Sequence, residues 1–454
     1  WNGGRLKQAD PQVLTIPPIK CYVFALLNVV EYAPRIAKAR AAVPSIRTIY
    51  ADLSHLRRFL NWLGERSITR IDDISEADLD LYYAHVIATP DTPTGRRKHL
   101  LAVQRLYYYG DLLPPFCRIA VPTIWGGMSA AQLADAAAPR QLENHTPRID
   151  PETMETLLSA VLLVVETIAA DIRPAVRRLV AMRVLAIEAA PQMRKERSRD
   201  TSRWYTARAQ LASVIAAFHR AQHPLPGRRR DNRVGVDLQA LAMAAQVDHD
   251  ILRRNGGGDL LSQCGLPIAE DHLRVPHVSA INGRRWRDQP IETVELPVLI
   301  RNVTAACFIV ITYLSGVRTG EALNLRRGCV TSDDKLNMIF MSGRQLKAAP
   351  ERAERSPRTT PWVINQPVAQ AISILEDFAP KSFIFPPGKF GWPDWVRSER
   401  TRTTGTINDD IDRFVTWFNT DIAEKIDHPR IPIDDDNITG IRLRRTLVVR
   451  LSFD

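Results

Sequence analysis

The sequence predicts a mainly α-helical fold with a small antiparallel sheet, of the α+β class, on two observations. Apolar residues recur at steps of three and four over much of the chain, which is the spacing of amphipathic helices. Three short runs with strand character follow one another at 329–330, 337–341 and 361–364. Because 454 residues exceed one typical core, we expect two or three domains.

Basic residues outnumber acidic residues, with 61 Lys and Arg against 50 Asp and Glu and a net charge of +11. A polyanion is a natural partner for such a chain, because each phosphate that is neutralised releases condensed counterions. The same excess also fits a basic protein without such a partner, so charge alone leaves both interpretations open.

The chain carries none of the common metal or nucleotide motifs. Its five cysteines are scattered without a CxxC pair, no HExxH occurs, and neither a Walker loop nor a GxGxxG run is present. We therefore expect no metal, no cofactor and a reducing cytoplasm. No uninterrupted apolar stretch approaches about eighteen residues, so no membrane partner is expected. The start at Trp1, without Met or a signal pattern, is typical of a fragment.

Changes in pattern divide the chain into four regions. Residues 1–43 have no predicted role, 44–125 form a helical domain, 126–295 combine a linker with an extra basic helical region, and 296–454 form an α+β domain. Within 44–125, helices are predicted from Ser45 to Gly64, from Ser75 with Asp78 completing a capping box, and over 96–113. Arg96, Arg97 and Lys98 lie at the head of the third helix and are candidates for DNA binding.

The region 126–295 is the least informative part of the sequence. Residues 126–149 have the composition of a linker, Asp150-Pro151 is a helix start, and 151–222 is almost wholly helical and rich in arginine. Glycine and arginine clusters at 227–230, 256–258 and 283–287 predict loops. The arginine clusters, including 194–197, either follow a DNA backbone or form a solvated surface, and the sequence leaves the two interpretations even.

The last region carries a sequence motif that begins with a long apolar helix over 296–314. Gly316 can adopt the left-handed conformation that ends a helix, and Arg318 follows on the turn with a guanidinium able to fork onto a phosphate. Glu321 is placed to orient either Arg318 or the turn, and a short helix over 321–325 contains a Leu-x-Leu pair. The run resembles the first signature of the tyrosine site-specific recombinases, the phage-integrase family.

A second run, 438–447, resembles the second box of that family, in which His-x-x-Arg opens a buried helix. Arg444 stands at the position of the second phosphate-binding arginine, and the usual histidine position holds Ile441, as in an actinobacterial-type branch of integrases. Arg442 or Arg445 could replace the histidine electrostatically, although an arginine cannot act as a base at neutral pH.

A hairpin between the two boxes carries the catalytic lysine in this family. Lys347 stands where the branch has it, Arg344 is the competing candidate, and a solvated hairpin lysine is the alternative to both. The run 325–330 also matches the branch. The helical domain over 44–125 resembles the family's core-binding domain, so the resemblance covers about half of the chain.

The resemblance implies DNA strand cleavage and rejoining without metal or nucleotide. A tyrosine attacks the scissile phosphate of double-stranded DNA, forms a 3′-phosphotyrosyl bond and releases a 5′-hydroxyl. Arg318 and Arg444 would stabilise the charge that develops on the phosphate, and Lys347 would protonate the leaving oxygen. The family also implies a homotetramer on two recombination sites, possible accessory proteins and a place in the bacterial cytoplasm or nucleoid.

The nucleophile is expected beyond Asp454, because none of the ten tyrosines follows Arg444 and Tyr313 lies in the apolar helix before Arg318. We therefore expect residues 1–454 to bind DNA without cleaving it. One alternative is a catalytically inactive recombinase-like DNA-binding protein that acts as a regulator or accessory factor. Another is a helical scaffold that binds acidic proteins or RNA, and a type IB topoisomerase is a third.

Overall fold

The computed structural model describes most of the chain, in two compact units. The described residues are 16–28, 46–134, 146–188, 203–230, 233–245, 247, 249–254, 257–344, 360–379, 382–389, 392–393, 400–433 and 437–453. Unit 1 comprises the chain up to Asn144, and unit 2 comprises nearly all of the chain from His145 onward. The fold is mainly helical with small, mostly antiparallel sheets, so the predicted α+β class is confirmed in this coarse form.

Unit 1 is all-helical in its described residues. Its helices are α1 (Ile16–Asn28), α2 (Ile46–Glu65), α3 (Glu76–Ala88), α4 (Pro93–Tyr108) and the short α5 (Ala130–Leu133). Their apolar faces enclose an aromatic centre, in which the Tyr82 ring lies 4.6 Å from that of Phe59 and 5.2 Å from that of Trp62. Tyr22 of α1 is buried in the same core, so the first region of the chain, for which no role was predicted, contributes to it.

The helix starts of unit 1 follow from side-chain caps. The predicted capping box at Ser75 is confirmed, since its hydroxyl accepts from the Asp78 amide at 3.2 Å and the Asp78 carboxylate accepts from the Ser75 amide at 2.9 Å. The predicted helix 96–113 is wrong at both ends. Thr92 caps α4 by accepting from Gly95, so that Pro93 is the first helical residue, and the helix ends at Tyr108.

Residues 126–134 belong to the core of unit 1, although the sequence predicted a linker from 126 onward. The Gln104 side chain donates to the Met128 carbonyl at 2.7 Å and accepts from the Ala130 amide at 3.0 Å. Leu133 is buried beside them. This packing places the described end of unit 1 at residue 134, and the remainder of the predicted linker up to 145 lies outside the described residues.

Unit 2 is built around α12 (Leu296–Ser315), which is buried along almost its whole length. Against it pack α6 (Pro151–Leu163), continued by a π-helical turn at Val164–Ile168, and α7 (Ala169–Glu188). Asp150 caps α6 as predicted, accepting from the Glu152 amide at 2.9 Å. The helices α8 (Arg203–Arg220), α9 (Leu238–Ala245), α10 (His249–Arg254) and α11 (Gly257–Gln263) complete this side.

The core of unit 2 runs without interruption across residue 295, where the sequence predicted a domain boundary. Trp286 is buried in it, and its indole nitrogen donates to Asp171 of α7 at 2.7 Å. Ile291 and Leu296 are buried in the same cluster. Residues 146–295 and 296–453 therefore share one core, because α12 supplies the apolar surface against which both pack.

The predicted loop at 227–230 is wrong, because these residues form strand β1 (Leu225–Arg230). It pairs antiparallel with β2 (Arg233–Val236) and parallel with β3 (Ile268–Ala269). A Cβ at Gly227 would meet Ile268 at 2.5 Å, so the glycine is needed for the close approach of β3 rather than for a turn. Arg228 forms an ion pair with Glu292 and Arg229 with Glu270, which uses these arginines within the fold.

The predicted loop at 283–287 is wrong in part, because Arg284–Arg285 form strand β5, which pairs antiparallel with β4 (Ala280–Ile281). Gly283, with φ 79°, lies in the turn between the two strands. The predicted loop at 256–258 differs, since α11 begins at Gly257. The arginine cluster at 194–197 lies outside the described residues.

The small antiparallel sheet predicted near the C-terminal end of the chain is confirmed. Its order is β6 (Val330–Asp333), β7 (Met338–Met341) and β8 (Trp362–Ile364). After it come α14 (Gln366–Phe378), the two-stranded ribbon β9 (Gly388–Lys389) and β10 (Trp392–Pro393), α15 (Thr404–Trp417) with a π-helical turn at Phe418–Ile422, and α16 (Gly440–Phe453). The predicted strand at 383–385 is reduced to a single bridge between Phe383 and Arg326.

Two helical stretches among the described residues are long and apolar enough to cross a membrane by length and composition alone, Pro151–Ala186 and Thr293–Ser315. In the second, 78% of the most apolar window is buried inside the protein, and in the first the share is 50%. Both stretches are core helices of unit 2, and packing against one another accounts for much of their apolar character.

A histidine pair joins α2 to α4 in unit 1. The Nδ1 atoms of His55 and His99 lie 3.2 Å apart, and an Arg58 Nη atom donates to His99 Nε2 at 2.9 Å. Burial lowers the pKa of both imidazoles, and the neighbouring charges of Lys98 (for His55) and Arg58 (for His99) lower it further, against the opposing pull of Asp91. Both imidazoles therefore bind a proton less readily in the folded unit than in the unfolded chain.

We predict that unit 1 loses stability as the pH falls below the unfolded-state histidine pKa of about 6.5. The histidine pKa values are lower in the folded unit, so the unfolded chain binds more protons at pH values below about 6.5. The contribution of the two histidines to stability is therefore fully present only above that pH. The melting temperature of the wild-type chain should fall more steeply from pH 7.5 to pH 5 than that of His55→Gln/His99→Gln. His85→Gln, at an exposed position, serves as control. The prediction is contradicted if the melting temperatures of the wild type and the double variant differ by the same amount at pH 7.5 and at pH 5.

Candidate functional site

The first arginine motif lies on the turn after α12. Gly316 has φ 65° and ends the helix in the left-handed conformation, with its amide donating to the Thr312 carbonyl at 3.1 Å, as the sequence predicted. Arg318 follows in extended backbone and occupies the N-cap position of the short helix α13 (Thr319–Leu323). Its side chain is 44% exposed, so the turn presents a guanidinium at the surface.

Glu321 contacts both the Arg318 side chain and the backbone of the turn, whereas the sequence left open which of the two it orients. Its carboxylate accepts from an Arg318 Nη atom at 2.9 Å and from the Arg318 amide at 3.3 Å. The Glu321 side chain is only 4% exposed. No other hydrogen bond of the Arg318 side chain occurs among the described residues, so Glu321 fixes one edge of the fork and leaves the other directed at solvent.

The second motif docks directly on the first. A Cβ at Gly440, the first residue of α16, would lie 2.7 Å from Thr319 Oγ1 and 3.1 Å from Phe308, so no side chain fits there. About two turns further along α16, the Leu447 side chain lies 3.2 Å from where a Cβ of Gly316 would be. Helix α16 therefore packs along the Arg318 turn through Gly440 and Leu447.

Arg444 lies between these two contacts on the helix. At 100° per residue, positions 440, 444 and 447 share one face of α16, and that face meets the Arg318 turn. Arg444 is half-buried on this face, with Leu443 fully buried in the core beside it. Helical geometry thus places Arg444 on the face of α16 that meets the turn bearing Arg318 and Glu321. Two guanidiniums on such a surface could bind the non-bridging oxygens of a phosphate.

The other two candidate residues on α16, Ile441 and Arg445, differ in exposure. Ile441, at the usual histidine position, is 57% exposed, and a hydrocarbon side chain can neither donate to nor accept from a phosphate. Arg445 is half-buried. Tyr313 is buried in α12, in agreement with its exclusion as a nucleophile.

Arg442 does not take the place of the missing histidine, contrary to one suggestion from the sequence. It is buried, and its guanidinium donates to three backbone carbonyls, of Pro147 at 3.3 Å, Arg148 at 2.8 Å and Asn437 at 2.9 Å. Carbonyl acceptors hold a guanidinium in place within the protein, so Arg442 acts in the fold rather than at the phosphate.

The hairpin between the boxes reaches the same region from β7. A Cβ at Gly343 would lie 3.3 Å from Leu325, just after α13, and 3.0 Å from Trp362. Arg344 follows and is exposed. Lys347 lies outside the described residues, so its assignment as general acid stays a prediction.

The basic candidates of unit 1 lie on α4 beside α2. Arg97 and Lys98 are exposed, whereas Arg96 is half-buried and donates to the Thr89 carbonyl at 3.3 Å. Sequence reasoning missed Arg58 of α2, which reaches the same place through its hydrogen bond to His99. The amphipathic pattern predicts both α2 and α4. It does not predict that Arg58 faces α4, because tertiary packing sets the rotation of the two helices relative to each other.

Two residues that build the site, Thr319 and Gly440, were also missed as contacts. Both stood inside the motifs, yet a contact 121 positions apart in the chain leaves no trace in local periodicity. Among the described residues, no group of three or more His, Cys, Asp and Glu side chains is placed to hold a metal ion.

Comparisons with known proteins add no family to these observations. No protein-family model matches the chain, and no curated protein matches it either. The geometry of the site is therefore the basis for a functional proposal.

Replacing Gly440 by alanine should destabilise unit 2 by about 1–3 kcal/mol, because the added methyl group meets Thr319 and Phe308 in a packed core. The urea midpoint of the chain measures this loss. Gly258→Ala is the matched control, since it is also near the start of a helix and has nothing within 4 Å of its Cβ position. Equal midpoints for the two variants would contradict the packing described.

Proposed function

We propose that the chain is part of a tyrosine site-specific recombinase, which cleaves and rejoins double-stranded DNA through a 3′-phosphotyrosyl intermediate. The observation that carries the proposal is the docking of α16 on the Arg318 turn. Two motifs 121 residues apart in sequence, each of which resembles a box of that family, meet through Thr319 and Gly440. Independent runs that matched by chance would have no reason to be in contact.

The proposed reaction needs positive charge where the transition state gains negative charge. Arg318 and Arg444 would donate to the non-bridging oxygens of the scissile phosphate, and Glu321 would hold the Arg318 fork in its orientation before DNA binds. The tyrosine oxygen forms a bond to phosphorus as the bond to the 5′-oxygen breaks, and the 5′-oxygen takes a proton, for which Lys347 is the proposed donor. The phosphodiester energy is conserved in the phosphotyrosyl bond, so no ATP is required.

Family resemblance extends the proposal to assembly and setting. Four protomers would act on two recombination sites in the bacterial cytoplasm or nucleoid, with accessory proteins setting direction. The nucleophile is proposed to follow Arg444, and no tyrosine does so within the 454 residues. Cleavage is therefore tested in a protein that carries these 454 residues and a tyrosine after Arg444, which is called the complete protein below.

A second function is favoured by one observation, the exposed hydrocarbon of Ile441 at the usual histidine position. Without a proton-transfer group there, the same scaffold would serve as a catalytically inactive, recombinase-like DNA-binding protein. Formation of a covalent protein–DNA adduct separates the two functions, because only the enzyme forms it.

In the complete protein, Arg318→Ala and Arg444→Ala should each lower the rate of adduct formation by roughly 10²–10³-fold, because each removes a charged donor to the phosphate. Adduct is quantified by denaturing electrophoresis of a labelled duplex carrying the recombination site. Arg253→Ala is the control, since Arg253 is an exposed arginine on a helix that carries neither motif. Wild-type rates in both arginine variants would contradict the assignment.

DNA binding by residues 1–454 should weaken steeply as the salt concentration rises. In the double variant Arg97→Ala/Lys98→Ala, the slope of log binding constant against log salt concentration should be shallower by about two. Each phosphate that the variant no longer neutralises accounts for roughly 0.9 of this change. Fluorescence anisotropy of a labelled duplex over a salt series gives the slope. Arg70→Ala is the control, because Asp72 already engages its guanidinium at 3.0 Å. An unchanged slope in the double variant would remove these residues from the interface.

A further inference from the structure

Helix α16 is held on two opposite sides. One side carries Gly440, Arg444 and Leu447 and meets the Arg318 turn. Positions 442 and 446 lie roughly 200–240° around the helix from Gly440, on the other side. The chain segment 147–149 packs against that second side.

The contacts to this segment are hydrogen bonds to its backbone. Thr446 Oγ1 accepts from the Ile149 amide at 3.0 Å and donates to the Arg442 carbonyl at 2.9 Å. The Arg442 guanidinium donates to the Pro147 and Arg148 carbonyls. Each residue of the segment therefore has a backbone group bonded to α16.

This segment is the point at which the chain enters unit 2. The described part of unit 1 ends at Ala134, and unit 2 begins at His145. Directly after the segment, Asp150 caps α6, which packs on α12. The segment thus joins α16 and the start of α6 within the core of unit 2, in which Ile149 and Leu443 are both buried.

The surroundings leave room for the segment 147–149 to adjust on its side of α16. An open cavity of about 220 Å³ adjoins the contacts and is lined by Ile149 and Arg442, and on its other walls by Asp412, Val415 and Asn437. A close-packed site resists small displacements, whereas a cavity permits them without overlap of side chains.

We propose that Arg442 and Thr446 are positioning residues that couple Arg444 to the chain entering unit 2 from unit 1. Resting on the proposed function, the coupling makes alignment of Arg444 with Arg318 depend on the position of the segment 147–149 when DNA is bound. The segment transmits its position to α16 through the bonds of Arg442 and Thr446. A displacement of about 1 Å at Arg444 is enough to change the rate of cleavage strongly.

The test compares Thr446→Val, which keeps the shape and loses both hydrogen bonds, with Thr446→Ser, which keeps the hydroxyl. In single-turnover cleavage by the complete protein, Thr446→Val should lower the rate constant by about tenfold or more. The adduct amplitude and the DNA dissociation constant should stay at wild-type values, and Thr446→Ser should restore the rate. Arg442→Lys keeps the charge without the fork and should also slow cleavage.

A merely structural role gives a different pattern. Loss of folded protein lowers the amplitude and the melting temperature and leaves the rate constant of the remaining molecules unchanged. The coupling is overturned if Thr446→Val and Arg442→Lys both show this loss of amplitude with an unchanged rate constant. It is also overturned if both variants cleave at the wild-type rate. In either case, adduct formation by the wild-type protein still supports the proposed function.

Hydrogen exchange tests the coupling without catalysis. In residues 1–454, duplex DNA should slow exchange of the amides over 440–448 in the wild type and in Thr446→Ser, and should leave them unchanged in Thr446→Val. If the complete protein forms no adduct, the proposed function fails and this measurement still decides the coupling. Equal protection in wild type and Thr446→Val, or the absence of DNA binding, overturns it.

Discussion

The contact between Gly440 and Thr319 is the constraint on which the site depends. Without a side chain at position 440, the start of α16 can approach α13 closely enough for Leu447 to cover Gly316. These two contacts fix the rotation of α16, and Arg444 therefore lies on the face that meets the Arg318 turn. The Arg318 fork is fixed separately by the buried carboxylate of Glu321. The proposed phosphate site thus depends on the absence of a side chain at Gly440 and on the buried carboxylate of Glu321.

Much of this arrangement could be predicted from the sequence, because local patterns determine it. The end of α12 at Gly316 follows from left-handed backbone, and the starts of α3 and α6 follow from Ser75 and Asp150 as caps. The order of β6, β7 and β8 repeats the chain order of the three strand-like runs from which they were predicted. The resemblance of two motifs to one family predicted that their arginines act together.

What could not be predicted depends on packing between distant segments. Gly227 suggests a turn by composition, yet it is there to admit β3, which lies some forty residues later. The hydrogen bonds from Arg442 to residues 147–148 join positions almost 300 residues apart in the sequence, and local periodicity cannot predict such contacts. The shared core on either side of residue 295 likewise follows from α12 being buried all round, which makes it a partner for both halves.

The distance between the two motifs tests the central claim most directly. Spin labels at Arg318→Cys and Ile441→Cys occupy exposed positions, each one residue from the Thr319–Gly440 contact, in a background with the native cysteines replaced. Consecutive Cα atoms are 3.8 Å apart, so the account predicts an interspin distance within roughly 20 Å and clear dipolar broadening. A separation beyond about 30 Å would contradict it, because no single phosphate could then contact both arginines.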